Sequence, residues 1–497
     1  VYSHDATGVV LQVHEKLVSG LRAHTFAKFF TQIVSWAGTI YVLRTLDSEA
    51  MGLFGIAAAT LNYALIVFDG GVTDSIVQRP PTNGVERRAV FTAVAGAGLF
   101  LGVGLASLSG LVGALVSEQA VVPLVATMGL VALLASLAAL PGALLTRDMA
   151  FGKLATISSV QALVATLVTT TSATLGAGAW SLVGGLVAGT GVRALMLNLA
   201  RPCVMLPTLR VAIAWPHLRL GGVLMLDTLL WRLYTSLDLF LLGRWWGAPA
   251  AGVFGFAQHV ASIPLEKIST IVNDVSLPAY AELARDREAA AKLMLETIRM
   301  HATIGFPMFW GFAAIAAELV PLLFGDQWAA AVWPMMAMAA IAPLRLIGSV
   351  ETPAMTGIGK PRVLVATKLV IVPCMTVALV VGIAYWGVLG AALAWLLAFP
   401  LCYALGFRLV LHAIGLRLRH ALSATAGPAA AAAIMAVAVW FLDVRTGTHA
   451  AIDQSVRIVA GALAYGLLLR LVDREAFRIA RTRLAQLAGL RRTAAIR

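Results

Sequence analysis

Three ionisable residues, Asp227, Arg232 and Asp238, stand inside one apolar run of this 497-residue sequence. A charge in hydrocarbon costs at least about 2.5–3.5 kcal/mol on insertion scales, so such residues are functional candidates by default. Asp227 and Asp238 are 11 residues apart, three helical turns, and share a face. Arg232 lies about 140° round the helix from Asp227, a poor angle for pairing. It must look to another helix, to water or to a ligand, and its planar fork suits phosphate. Packing against a carboxylate on a neighbouring helix is the plain alternative. In the next run His259 and Glu266 fall on one face, with Lys267 beside them. Glu266 and Lys267 lie near the end of that run, where anchoring a loop explains them equally well. A lone histidine in an apolar helix is more often satisfied by packing than active. Arg345 closes a further run just before Glu351 and can snorkel to the interface. Asp69 and Asp74 flank Gly70-Gly71 and read as a helix end and turn. The candidate binding residues are therefore Arg232, Asp227, Asp238, His259, Lys267 and Arg345.

Other chemistries lack their residues. The nearest stretch to a phosphate loop, Gly357-Ile358-Gly359-Lys360-Pro361, has neither the spacing nor the hydroxyl, so ATP hydrolysis is not expected. No zinc-protease, nucleophile-elbow or EF-hand pattern occurs. A membrane polymerase or glycosyltransferase needs clustered acids facing outward, whereas Asp47, Glu49, Glu118, Asp326, Asp443 and Asp453 are scattered on short loops. Cys203, Cys374 and Cys402 form no CxxC, so neither a disulfide framework nor a zinc site is expected. No catalytic residue, metal site or cofactor is assigned.

The elements that must position these residues are membrane helices. Sixty per cent of residues are hydrophobic, 12% are charged, and the mean hydropathy is +0.87. Fourteen apolar runs recur, at about 29–46, 50–69, 89–109, 120–140, 154–175, 178–200, 220–243, 248–268, 300–324, 330–350, 364–386, 388–410, 424–442 and 455–472. Basic residues select an orientation. With the N-terminus inside, the inner loops hold Arg87, Arg88, Arg147, Lys153, Arg201, Arg285, Lys292, Lys360, Arg362, Lys368 and Arg417, among others. The outer loops hold only Arg44, Arg244, Arg445 and Arg457. An N-in, C-in protein follows, and the net charge of +13 belongs to loops rather than to nucleic-acid binding. Residues 1–26 are polar and mixed in charge, so no cleavable signal is expected there.

A 200-residue shift aligns Arg44, Ala50, Gly52, Phe54, Gly55, Ala57, Leu65, Val72 and Asp74 with Arg244, Ala250, Gly252, Phe254, Gly255, Ala257, Leu265, Val272 and Asp274. Six spans separate the copies, so both halves have the same orientation and the implied axis runs along the membrane normal. The expected organisation is a cytoplasmic segment 1–28, a first lobe 29–200, a loop 201–219, a second lobe 220–410, two further spans within 411–472, and a basic tail 473–497. The charged stretch from Asp274 to Arg299 reads as a short amphipathic helix on the cytoplasmic surface. The arginine-rich tail reads as a segment resting on anionic lipids.

Several short motifs carry a family resemblance. Glu15-Lys16-Leu17-Val18-Ser19-Gly20, Gly52-Leu53-Phe54-Gly55, Phe68-Asp69-Gly70-Gly71 and Ile76-Val77-Gln78-Arg79 resemble the start of Wzx flippases of the colanic-acid-exporter type. Leu145–Phe151, Val275–Ala281 and Pro321–Trp328 resemble that family's later connectors. The resemblance runs in order over roughly residues 14–370, and the xanthan and succinoglycan exporters are plausible closer relatives. It implies the multidrug/oligosaccharidyl-lipid/polysaccharide superfamily: an all-α integral membrane protein of about 14 transmembrane helices, with two six-helix lobes and two C-terminal helices. It further implies a monomer in the bacterial inner membrane that flips undecaprenyl-pyrophosphate-linked repeat units by alternating access, coupled to an ion gradient. A polysaccharide polymerase and a chain-length regulator are the implied partners. A drug/cation antiporter of the same superfamily is the alternative, and a membrane-embedded polymerase the alternative from another class.

Overall fold

The computed structural model describes residues 31–67, 84–208, 222–442 and 450–478, without the side chains of residues 67, 222–224 and 270–275. The Asp69–Asp74 turn, the N-terminal segment, most of the 201–219 loop and the tail beyond residue 478 lie outside the described residues. All regular structure among the described residues is helical.

The helices follow the apolar runs in order, although not one for one. Helix α1 covers residues 31–45. It is followed by α2 (Ser48–Val67), α3 (Gly84–Val116), α4 (Val121–Arg147), α5 (Phe151–Thr174) and α6 (Ala179–Ala200). Helix α7 (Gly222–Glu282) carries two runs in sequence, broken at Gly247 with φ 82° and ψ 170°. Then come α8 (Arg287–Phe324), a 3-10 turn (Asp326–Ala331), α9 (Val332–Gly348) and the short α10 (Glu351–Gly357). Helix α11 (Arg362–Leu393) turns at Gly387 and passes through a π-helical segment (Ala394–Ala398) into α12 (Phe399–Ile414). Helices α13 (Leu418–Phe441) and α14 (Ala450–Val472) complete the order. Among the described residues, ten helical stretches are long and apolar enough to cross a bilayer, one of them the 53-residue stretch Arg362–Ile414 that includes the turn at Gly387. Many large apolar side chains on them are exposed, as expected of surfaces that face lipid.

The charged stretch 274–299 is not a separate surface helix. Its residues extend the end of α7 and the start of α8, and the reversal is capped by Asp286, whose carboxylate accepts from the Ala289 N–H at 2.9 Å. A long helical hairpin satisfies its own backbone groups, which a free amphipathic helix also does, and here the hairpin wins by continuity with the spans.

The chain divides into two compact units, Val1–Met225 and Leu226–Arg497. Each unit buries matching positions of the repeat: Ile56 and Ala57 in the first, Phe256 and Ala257 in the second, all fully inaccessible. Left-handed backbone positions match as well. Ser117, Met149 and Gly178 in the first unit correspond to Gly325, Gly359 and Gly387 in the second, at separations of 208, 210 and 209 residues. Gly178 and Gly387 have nearly the same angles (φ 53°, ψ −131° and φ 54°, ψ −128°).

Close helix packing in both units rests on glycine. In the first, a Cβ at Gly129 would lie 2.3 Å from the Gly102 carbonyl oxygen. In the second, a Cβ at Gly390 would lie 1.8 Å from the Gly382 oxygen, across the turn of α11. At Gly387 itself a Cβ would meet the Trp246 ring at 2.8 Å, while the Trp246 Nε1–H donates to the Ile383 carbonyl at 2.8 Å. The α7 break and the α11 turn are therefore latched together.

Helices α13 and α14 pack on α8 within the second unit. Arg457 pairs with Glu318 and donates to the Val439 carbonyl at 3.0 Å. The Tyr465 hydroxyl donates to the Thr303 carbonyl at 2.8 Å. Contrary to the expectation from cysteine spacing, Cys374 on α11 and Cys402 on α12 are joined as a disulfide. Cys203, in the loop after α6, is a buried free thiol, and burial pushes its pKa up from the ordinary value.

Candidate functional site: a buried polar network in the second unit

Charge burial separates the two units. Among the described residues, the buried polar side chains of the first unit are all hydroxyls: Thr31, Ser109, Ser136, Ser181 and Thr190. The buried acidic and basic side chains among the described residues, Asp227, Asp238, His301, Glu351, Lys368 and Arg457, all belong to the second. Buried charges are retained only when paired or functional, so this asymmetry makes the second unit the place of the candidate site.

The first arm of α7 supplies two levels of the network, three turns apart on one face as the 11-residue spacing requires. At the lower level, Lys368 of α11 stands between two carboxylates. Its Nζ is 3.8 Å from Asp227 Oδ1 and 3.6 Å from Glu351 Oε2, at the start of α10. The three side chains are nearly sealed from solvent, with relative exposures of 7% for Asp227, 8% for Lys368 and 2% for Glu351. Tyr403 of α12 interacts with Glu351.

At the upper level Asp238 is fully buried and accepts from neutral donors. Oδ1 accepts the Leu239 N–H at 2.8 Å; Oδ2 accepts from Trp395 Nε1 at 2.9 Å and from Gln258 Nε2 at 3.4 Å. Trp395 sits in the π-helical segment, and the extra residue per turn there aims its indole inward. Arg345 of α9 lies over the Trp395 ring at 5.6 Å, donates to Ser262 Oγ at 3.4 Å, and opposes the Asp238 charge. Between the levels stands buried Tyr234, 5.9 Å from the Trp395 ring. Phe399, Tyr403 and Phe407 continue the aromatic row along α12 at centroid spacings of 5.3, 5.6 and 5.2 Å.

Of the six residues selected from sequence, three join this network: Asp227, Asp238 and Arg345. Arg232 lies outside it, half-buried, with its guanidinium 5.3 Å from the Trp231 ring. His259 and Lys267, on the second arm of α7, are exposed. Glu351, Lys368, Tyr234, Gln258, Trp395 and Tyr403 were not among the six. Lys368, counted above with the basic inner loops, is instead inside α11 and buried. Its signal was its phase, because it shares a buried stripe with Leu364, Ile371, Met375 and Leu379.

A second feature is an apolar groove of about 490 Å³ bounded by the second arm of α7, α8, α13 and α14. Pro264, Pro307, Phe312, Leu319, Met435 and Ile458 are among its lining residues, and Arg457 stands at its edge as the charged group.

Comparison with known proteins places this architecture. The family described as "Polysaccharide biosynthesis protein" matches residues 42–333. The lipopolysaccharide biosynthesis protein WzxC of Escherichia coli (strain K12) is 26% identical over 344 residues, 68% of this chain and 69% of that protein. The succinoglycan biosynthesis transport protein ExoT of Rhizobium meliloti (strain 1021) is 26% identical over 446 residues, covering 88% and 89%. Among solved structures, the lipid II flippase MurJ in an inward closed conformation superposes with a TM-score of 0.74 at 14% identity, over 91% of this chain and 99% of that one. An inward-facing multidrug resistance MATE family transporter gives 0.54 at 15% identity, over 77% and 95%.

Proposed function

We propose, from the premise that this chain belongs to the polysaccharide biosynthesis protein family, that it flips a polyprenyl-pyrophosphate-linked oligosaccharide across the bacterial cytoplasmic membrane. It is a transporter and not an enzyme. The observation that carries the reading is end-to-end likeness to a named polysaccharide transport protein, on a multi-pass helical fold shared with a lipid-linked sugar flippase. The second unit supports it with two kinds of surface. The polar network holds charge inside the membrane, and the apolar groove accepts a hydrocarbon chain. We assign the pyrophosphate to Arg232, whose fork can form two parallel hydrogen bonds to it.

The orientation is N-in and C-in. Besides the basic inner loops, exposed Trp180, Trp245, Trp246, Trp333, Tyr385, Trp386 and Trp440 all stand at the helix ends that this orientation puts outside, where an aromatic belt belongs. A polymerase and a chain-length regulator act on the product at that outer face.

Deletion of the gene in its native bacterium, followed by complementation, tests the reading. Expected are loss of surface polymer and accumulation of lipid-linked repeat units on the cytoplasmic side, both restored by the gene. Normal polymer in the deletion strain, accompanied by altered resistance to cationic drugs, overturns it in favour of an antiporter.

A further inference from the structure

We propose that the Asp227–Lys368–Glu351 cluster binds and releases one proton, with the Lys368 ammonium standing where a free metal cation would have to sit. This rests on the transport reading above and names the ion whose gradient drives it. Two carboxylates and one ammonium leave a net single negative charge in a site that is more than nine-tenths buried. An uncompensated charge there is strongly unfavourable. Two buried acceptor atoms, Asp227 Oδ1 and Glu351 Oε1, receive no hydrogen bond.

The surrounding charges do not cancel the excess. Tyr234 faces the cluster from α7 and Tyr403 from α12; Arg345 of α9 acts on Tyr234 and Asp238, and exposed Glu266 on the second arm of α7 acts on Arg345. Arg345 and Asp238 act on one another and not on the triad, so the excess stays on the triad. A sodium ion would need several oxygen ligands and would be repelled by the tethered ammonium already lying between the two carboxylates. A proton needs neither.

The step is an O–H bond made and broken. A proton from water adds to Glu351 Oε1, leaving Lys368 and Asp227 as a neutral pair, and on release it returns to water and the carboxylate is restored. Because Glu351, Lys368 and Asp227 stand on α10, α11 and α7, protonation removes the attraction between α10 and α11 and couples charge to helix movement.

The protein in lipid nanodiscs is followed by infrared difference spectroscopy of the carboxylic-acid C=O stretch, above about pH 5, where exposed carboxyls are ionised. The expected result is an acid band that grows as pH falls, disappears in Glu351→Gln, and is the same in sodium and potassium buffers. Should Glu351→Gln not fold, wild-type protein labelled with ¹³C-glutamate must shift the band. An acid band unmoved by both the substitution and the label overturns the proposal. So does a band abolished by sodium at constant pH, which would make the cluster a cation site. No sugar lipid is present, so failure here leaves the transport reading standing, and failure of export in cells leaves the proton site standing.

Discussion

Replacing Lys368 by methionine keeps the length of the side chain and removes its charge. At an effective dielectric of about 20, separations of 3.8 and 3.6 Å correspond to about 4–5 kcal/mol of attraction in each pair. Much of that offsets the cost of taking the ammonium out of water, so the net loss on removing one member of a buried group is about 3–5 kcal/mol. Lys368→Met leaves two like charges facing one another. Lys368→Met with Glu351→Gln restores the original net charge and should be less destabilised than the sum of the single variants, by about 0.5–3 kcal/mol. Exposed Lys153→Met, the control, should stay within about 0.5 kcal/mol of wild type. Equilibrium unfolding in mixed micelles, followed by tryptophan fluorescence, measures all four. A Lys368→Met loss under about 1 kcal/mol, or strict additivity in the double variant, refutes the claim that the ammonium holds the network together.

Gly387→Ala places a Cβ at φ 54° and 2.8 Å from the Trp246 ring, so unfolding in the same micelles should show a loss of at least about 2 kcal/mol. Arg232→Lys keeps the charge and loses the fork, so polymer export in a flippase-deleted strain should fall while protein level is maintained, and Arg232→Ala should abolish export. Reporter fusions after Arg497 and within residues 444–452 should read cytoplasmic and periplasmic respectively; a periplasmic C-terminus would overturn the orientation. Arg457→Met removes the pairing with Glu318 and the bond to Val439, and limited proteolysis should then release α14 sooner than in wild type.

The helices were legible because each apolar run is long enough to cross a bilayer and is bounded by charge or glycine. The common face of Asp227 and Asp238 was legible from spacing alone. Their partners were not, because helix neighbours in space follow from packing and not from sequence distance. Glu351 read only as the residue following the run that Arg345 closes and Lys368 as a loop base, although the phase of Leu364, Ile371 and Met375 puts Lys368 on the inner stripe. Phase likewise explains His259, which lies two residues from both Ala257 and Ala261 and so about 200° round from that buried face. The Cys374–Cys402 pair had no signal, since 28 residues of separation follow no spacing rule.

The matched left-handed turns carry a record of how the gene grew. Sequence identities keep an offset of 200 as far as Asp74 and Asp274, whereas Ser117 and Gly325 already stand 208 apart, and the offset barely changes thereafter. Most of the length difference between the two halves therefore falls between residues 74 and 117 of the first and 274 and 325 of the second. The later copy keeps glycine at all three turns, while the earlier has accepted serine and methionine at two of them. Ser117 and Met149 hold positive φ without glycine's freedom, so Ser117→Gly and Met149→Gly should relieve backbone strain in the first half.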